Sequence, residues 1–221
     1  MNGEVPAVSL TGAVRNYGPD RIIDNVSLRI DQGRFVVLRG GNGTGKTTLL
    51  RVIATRLKLS AGQGSVFGFD LSRQAHEVRR RTALVSVLGG AYAMLIAEEN
   101  LKLAASLYGL EVDAAALLGQ VGLGSTGSKL VRSFSSGMKK RLALARLLLP
   151  GSQLWLLDEP YSTLDDDGRE LVDRLVGDAL QRGVTVLMAT HGGLPEGAPR
   201  PDAELLLSDG RLSLDSRGTA R

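Results

Sequence analysis

Gly40-Gly41-Asn42-Gly43-Thr44-Gly45-Lys46-Thr47 decides how this chain is read. It follows at once on Phe35-Val36-Val37-Leu38, a continuous apolar run suited to a strand buried on both faces. It opens into Lys46 to Leu57, where Leu49, Leu50, Ile53 and Leu57 fall on one side of a helix. A strand, a glycine-rich loop and a helix in that order form a cradle for phosphate. Gly40, Gly43 and Gly45 let the backbone curl so that successive N–H groups point inward, and the helix beginning near Lys46 adds its positive dipole end. Lys46 supplies charge to the β and γ oxygens of ATP, and the Thr47 hydroxyl suits Mg²⁺. Asn42, Thr44 and Thr48 belong to the same binding stretch. The alternative for the bare pattern is a simple turn between strand and helix, and the flanking elements argue against it.

A second stretch carries complementary chemistry. Leu154-Trp155-Leu156-Leu157-Asp158-Glu159-Pro160 is a buried strand ending in two carboxylates, at the end where α/β sheets bind ligands. Asp158 is suited to hold Mg²⁺ through water, and Glu159 to orient or deprotonate an attacking water. The alternative is a plain acidic exit from a strand, and the phosphate loop beside it favours the catalytic reading further.

Around these two stretches, Val8-Ser9-Leu10 and Asn25 to Ile30 alternate as half-buried strands, with a turn at Asp31-Gln32-Gly33. Gly62 to Asp70 reads as a turn and short strand, Gln74 to Arg81 as a short helix, and Ala83 to Val87 as a strand. From Glu98 to Leu149 the pattern is helical, and Leu101, Ala104, Ala105 and Tyr108 have the spacing of one buried face. Gly168 to Arg182 is a helix, Val184 to Ala189 a buried strand, and Glu204 to Leu214 a hairpin around Asp209-Gly210. The expected fold is an α/β core with an antiparallel β layer on its N-terminal side and helices inserted in the middle.

The chain has 221 residues, 43% of them hydrophobic and 23% charged, which suits a globular domain with a substantial core. A net charge of +4 suits phosphate ligands or an anionic membrane surface, and serves solubility equally well. Aromatic residues make up 4%, too few for stacking single-stranded nucleic acid, and no nucleic-acid partner is expected. With no cysteine, disulfides and thiolate chemistry are excluded. No secretory signal and no apolar run of the about 20 residues that span a bilayer are read, so a membrane role requires a partner chain.

The order of the motifs resembles the ATP-binding subunit of an ABC transporter. Between the two stretches stands Phe134-Ser135-Ser136-Gly137-Met138-Lys139-Lys140-Arg141, similar to the family's Leu-Ser-Gly-Gly-Gln signature. Tyr161-Ser162-Thr163-Leu164-Asp165 resembles its D-loop. His191 sits after a core strand where the family carries its switch histidine, and Tyr17 precedes the first long β segment where an aromatic ring stacks on adenine. The resemblance implies a P-loop NTPase (RecA-like) core, a single domain over 1–221 with a helical subdomain at about 88–145. It further implies that Ser135 and Gly137, at a helix N-terminus, bind the γ-phosphate held by a second ATP-binding subunit. Asp165 takes a dimer-contact role, and Asp166 and Asp167 serve the next helix as N-terminal charge. Ser135 also fits an ordinary helix cap.

Two departures stand out. Ser136 and Met138 replace the usual Gly and Gln, a variant form of the signature. The family's glutamine at the end of the Ala83–Val87 strand falls at or near Val87, which can bind neither metal nor water. Slower or differently coupled hydrolysis is expected. The following Leu88 to Ile96 is apolar for a loop; in the family this region receives a helix of the membrane subunit, and the alternative is that it packs internally as strand and helix. The resemblance as a whole implies an ATPase peripheral to the cytoplasmic face of the membrane. It dimerises around MgATP and powers a transmembrane permease, an exporter of the haem-exporter or ABC-2 branch. The alternative is an ATPase subunit of a signalling or mechanotransmission complex that moves no substrate.

Overall fold

The computed structural model describes residues 5–86, 90–149 and 151–214. The chain begins with a long hairpin, β1 (Val8–Tyr17) and β2 (Asp20–Ile30). Val26, Leu28 and Ile30 point inward at the two-residue period of a half-buried strand. β1 is longer than the alternating Val8-Ser9-Leu10 suggests. Register shifts between Leu10 and Ala13, and again up to Asn16, break the alternation while the pairing continues. Tyr17 therefore ends the first long strand instead of preceding it.

The phosphate-loop strand β3 (Phe35–Arg39) leads through the glycines into α1 (Lys46–Ile53). This helix stops short of Leu57. Thr55 takes a left-handed φ of 55°, and the N–H groups of Arg56 and Leu57 both turn back to the Arg51 carbonyl. Leu57 packs on the core from outside the helix. β4 (Ala61–Val66) and β5 (Phe69–Asp70) form a second hairpin, so the antiparallel sheet runs β2-β1-β4-β5.

α2 (Ala75–Arg81) and β6 (Thr82–Val85) follow, and after them comes a helical layer. It comprises α3 (Ala97–Ser106), α4 (Ala114–Gln120) and α5 (Ser136–Ala145), joined by loops and short 3₁₀ turns. Leu101, Ala104 and Ala105 are buried as their spacing predicts, whereas Tyr108 lies beyond the end of α3. β7 (Leu154–Asp158), α6 (Asp166–Gln181), β8 (Thr185–Thr190), β9 (Ala203–Ser208) and β10 (Arg211–Leu214) complete the chain.

The second sheet has the order β10-β9-β3-β8-β7-β6, parallel except for the final β9–β10 hairpin. Its central strands are buried on both faces, which is why β3, β7 and β8 read as unbroken apolar runs. Successive residues of each strand enter different cores. Phe35, Val37, Trp155, Leu157, Val186 and Met188 pack with the helical layer and α6. Val36, Leu38, Leu154, Leu156, Leu187 and Ala189 pack with α1 and the antiparallel sheet. The architecture is the expected α/β core with an antiparallel β layer and inserted helices.

Leu156 is fully buried in the core formed with α1 and the antiparallel sheet. Leu156→Ala is expected to cost about 2–5 kcal/mol. The check is a lowered urea midpoint, followed by the fluorescence of Trp155, the chain's single tryptophan.

Candidate functional site

The parallel pairing places Leu38, Ala189 and Asp158 in one row across the sheet. The residues that follow them, Gly40, His191 and Glu159, therefore emerge along one edge. The cradle itself needs glycine. Gly45 has a φ of 103°, and a Cβ there would come within 2.9 Å of the Ile22 carbonyl on β2. That contact also shows how closely the β1–β2 hairpin, which carries Tyr17, approaches the loop. Gly45 is the N-cap of α1 and no side chain caps the helix, whereas Asp113, Ser135 and Asp165 cap α4, α5 and α6. The first-turn N–H groups of α1 are left to an anion.

Lys46 is buried, and its ammonium donates to the carbonyl oxygens of Gly40 (2.7 Å) and Gly41 (2.9 Å). It lies 3.8 Å from Glu159 Oε1. The Thr44 hydroxyl donates to the Gly41 carbonyl at 3.0 Å and helps close the loop. The Thr47 hydroxyl donates to Asp158 Oδ2 at 2.8 Å, joining α1 to the end of β7. Burial pushes the Asp158 carboxyl above its ordinary value, and the Thr47 hydrogen bond opposes that shift. Asp158 Oδ1 is buried without a hydrogen-bond partner. A divalent cation beside Thr47 fits this donor set, because a buried carboxylate oxygen lacking a donor calls for positive charge. Magnesium takes one or two protein ligands and fills the rest of its octahedron with phosphate oxygens and water.

Glu159 follows with a left-handed backbone, φ 49°, unusual for a residue with a side chain. Its N–H donates to the Ala189 carbonyl at 2.9 Å. Its carboxylate is shared between Lys46 and His191, whose Nδ1 lies 2.9 Å from Oε2. The loop bearing His191 is fastened to the sheet. Arg39, at the end of β3, pairs with Glu204 and donates to the Gly192 carbonyl at 2.7 Å.

The remaining residues read from the sequence stand on β1, α5 and α6. Ser135 is the N-cap of α5, its hydroxyl accepting from the Met138 N–H at 3.2 Å. Gly137 sits in the first turn, where a Cβ would stand 3.4 Å from the Thr163 carbonyl. Among the three consecutive aspartates, the capping role falls to Asp165. Its Oδ1 accepts from the Gly168 N–H at 3.0 Å and from Arg141 at 3.1 Å, and these donors hold its carboxyl below the ordinary range. Tyr17 is partly exposed, with the Arg15 guanidinium 4.8 Å from the ring centroid. Gly40, Asn42 and Gly43 lie in the loop and Thr48 in the first turn of α1. Val87, Leu88 and Gly89 lie outside the described residues.

Two features went unread in the sequence. Lys140 of α5 is buried and donates to the Glu159 carbonyl at 2.8 Å. A cleft of about 330 Å³ is lined by Arg51, Arg56, Arg146, Tyr92, Leu103 and Leu107, with no Asp or Glu among its described lining residues.

Residues 23–162, more than half the chain, match the family model described as ABC transporter. The chain is 40% identical over 180 residues to the cytochrome c biogenesis ATP-binding export protein CcmA of Xanthomonas axonopodis pv. citri, covering 80% of this chain and 82% of that one. It is 37% identical over 190 residues to a daunorubicin resistance ATP-binding protein of Streptomyces coeruleorubidus, covering 84% of this chain and 60% of the relative. A dimeric ATP-binding cassette in a post-hydrolysis state, bound to ADP and Pi, superposes with a TM-score of 0.83 over 94% of this chain and 98% of its own, at 23% identity, and shares the fold. The chain belongs to the ABC transporter family and is one of its ATP-hydrolysing cassettes.

Proposed function

We propose that this cassette closes with a second ATP-binding subunit around MgATP and thereby powers a membrane exporter. The observation that carries the catalytic part is the Glu159 carboxylate, set between Lys46 and His191 beside the Thr47–Asp158 pair. Lys46 and the uncapped start of α1 bind the β and γ phosphates. Thr47 and Asp158 hold the magnesium, which neutralises charge on the phosphate oxygens when bound. Glu159 takes the proton of the attacking water, and His191 keeps the carboxylate turned toward it. Ser135 and Gly137, at the N-terminus of α5, meet the γ-phosphate bound by the other subunit, and Tyr17 meets the adenine. Without a glutamine at Val87, turnover lacks one contact to metal or water.

The export and resistance roles in the names of the relatives support an exporter over a complex that moves no substrate. No described helix is long and apolar enough to cross a membrane, and in this reading a permease makes the crossing while the cassette stays on the cytoplasmic face. The arginine-lined cleft supports where the permease docks. Tyr92 is 59% exposed and Met94 68%, in the part of the apolar loop that is described. A permease segment with apolar residues flanked by carboxylates matches that surface.

Lys46→Ala is expected to abolish nucleotide binding in a fluorescent-nucleotide titration; a retained micromolar Kd contradicts the cradle. Glu159→Gln is expected to keep ATP binding and slow single-turnover hydrolysis by about tenfold or more. An unchanged rate removes the general-base role. Arg56→Glu is expected to leave the ATPase rate of the isolated cassette unchanged and to lower its co-purification with the co-expressed permease. Equal recovery of the complex would displace the docking site.

A further inference from the structure

The buried ammonium of Lys140 has no part in the chemistry above, yet it touches the residue at the centre of that chemistry. Lys140 is 5% exposed, and its Nζ lies 2.8 Å from the carbonyl oxygen of Glu159. Burying an ammonium ion is costly unless it is compensated. Burial indeed pulls this group below its ordinary value, while the carboxylates of Asp158 and Glu159 act in the opposite direction. The lysine is therefore held by the acidic end of β7, and its charge is spent there.

Glu159 needs external support. A left-handed backbone is unfavourable for a residue with a Cβ, and Glu159 adopts one at φ 49°. The peptide group that follows Glu159 is anchored through its oxygen, which accepts from the Ser162 N–H (3.2 Å), the Ser162 hydroxyl (2.8 Å) and Lys140. The two Ser162 bonds lie within one tight turn and move with it. Lys140 comes from α5, and so ties that turn to the helical layer. On the other side the Glu159 N–H is bonded to β8. A backbone clamped on both sides fixes the direction in which the carboxylate leaves the chain, toward Lys46 and His191.

We propose that Lys140 is a positioning residue for ATP hydrolysis, acting through Glu159. It locks the Glu159 carbonyl and supplies the positive charge that lets two adjacent carboxylates share one buried edge. The inference rests on Glu159 being the general base. Lys140 stands on α5, outside the phosphate loop, and bonds the Glu159 carbonyl, so its loss should act on turnover and not on ATP binding.

The test is a double-mutant cycle between Lys140→Met and Glu159→Gln, read by single-turnover and steady-state ATP hydrolysis. Lys140→Met is expected to lower kcat about tenfold, with KM for ATP within about twofold of the parent. In the Glu159→Gln background the same substitution is expected to change the residual rate less than about twofold, because no base remains to be positioned. Lys140→Arg keeps the charge and a donor and should recover part of the rate. Lys140→Gln, which keeps a donor without charge, provides the same cycle should Lys140→Met fail to fold. An equal loss in both backgrounds, or an unchanged kcat in Lys140→Met, overturns the proposal. If Glu159→Gln alone hydrolyses ATP at the parent rate, it is the base assignment that has failed.

Discussion

One register constraint governs the nucleotide edge: β3, β8 and β7 are paired so that Leu38, Ala189 and Asp158 stand in a single row. Because the strands are parallel and buried on both faces, a slip of one residue would exchange the two cores and carry Asp158 away from Thr47. The 2.8 Å bond between that hydroxyl and that carboxylate depends on this alignment. So does the reach of His191 to Glu159, since both emerge one or two residues beyond the row. The glycines complete the arrangement from the other side by letting α1 start against β2.

The edge also solves an electrostatic problem. Two consecutive carboxylates at the end of a buried strand repel one another, and burial alone already raises Asp158. Lys46 and Lys140 approach from opposite elements, one from the phosphate loop and one from the helical layer, and share the task of offsetting that charge. Only Lys46 belongs to the phosphate cradle.

What could be read beforehand followed from physical pattern. β3, β7 and β8 were legible because strands buried on both faces are unbroken apolar runs. The phosphate loop was legible because few residue types tolerate its backbone. Where register slips, as between Leu10 and Ala13, alternation vanishes and most of β1 was unread. The end of α1 was missed because Leu57 keeps its place in the apolar pattern after the helix has stopped. Lys140 was invisible for another reason. Within Lys139-Lys140-Arg141 nothing local marks which cation is buried, and that depends on a turn 19 positions away. Likewise, Asp165-Asp166-Asp167 announces a helix start without saying which carboxylate caps it.

The alternation of the central strands between two cores has a mechanical side. Because Phe35 and Val37 belong to one apolar cluster and Val36 and Leu38 to the other, the six-stranded sheet is a common wall between two separately packed compartments. Close-packed interiors transmit displacement through contact. A load applied to the helical compartment therefore reaches the phosphate loop chiefly through the wall itself and through the few side chains that bridge its rim. The loop's seat, formed with the antiparallel sheet, lies in the other compartment. The helical compartment and the loop's seat thus share one wall, and Asp158 and Glu159 stand at its rim.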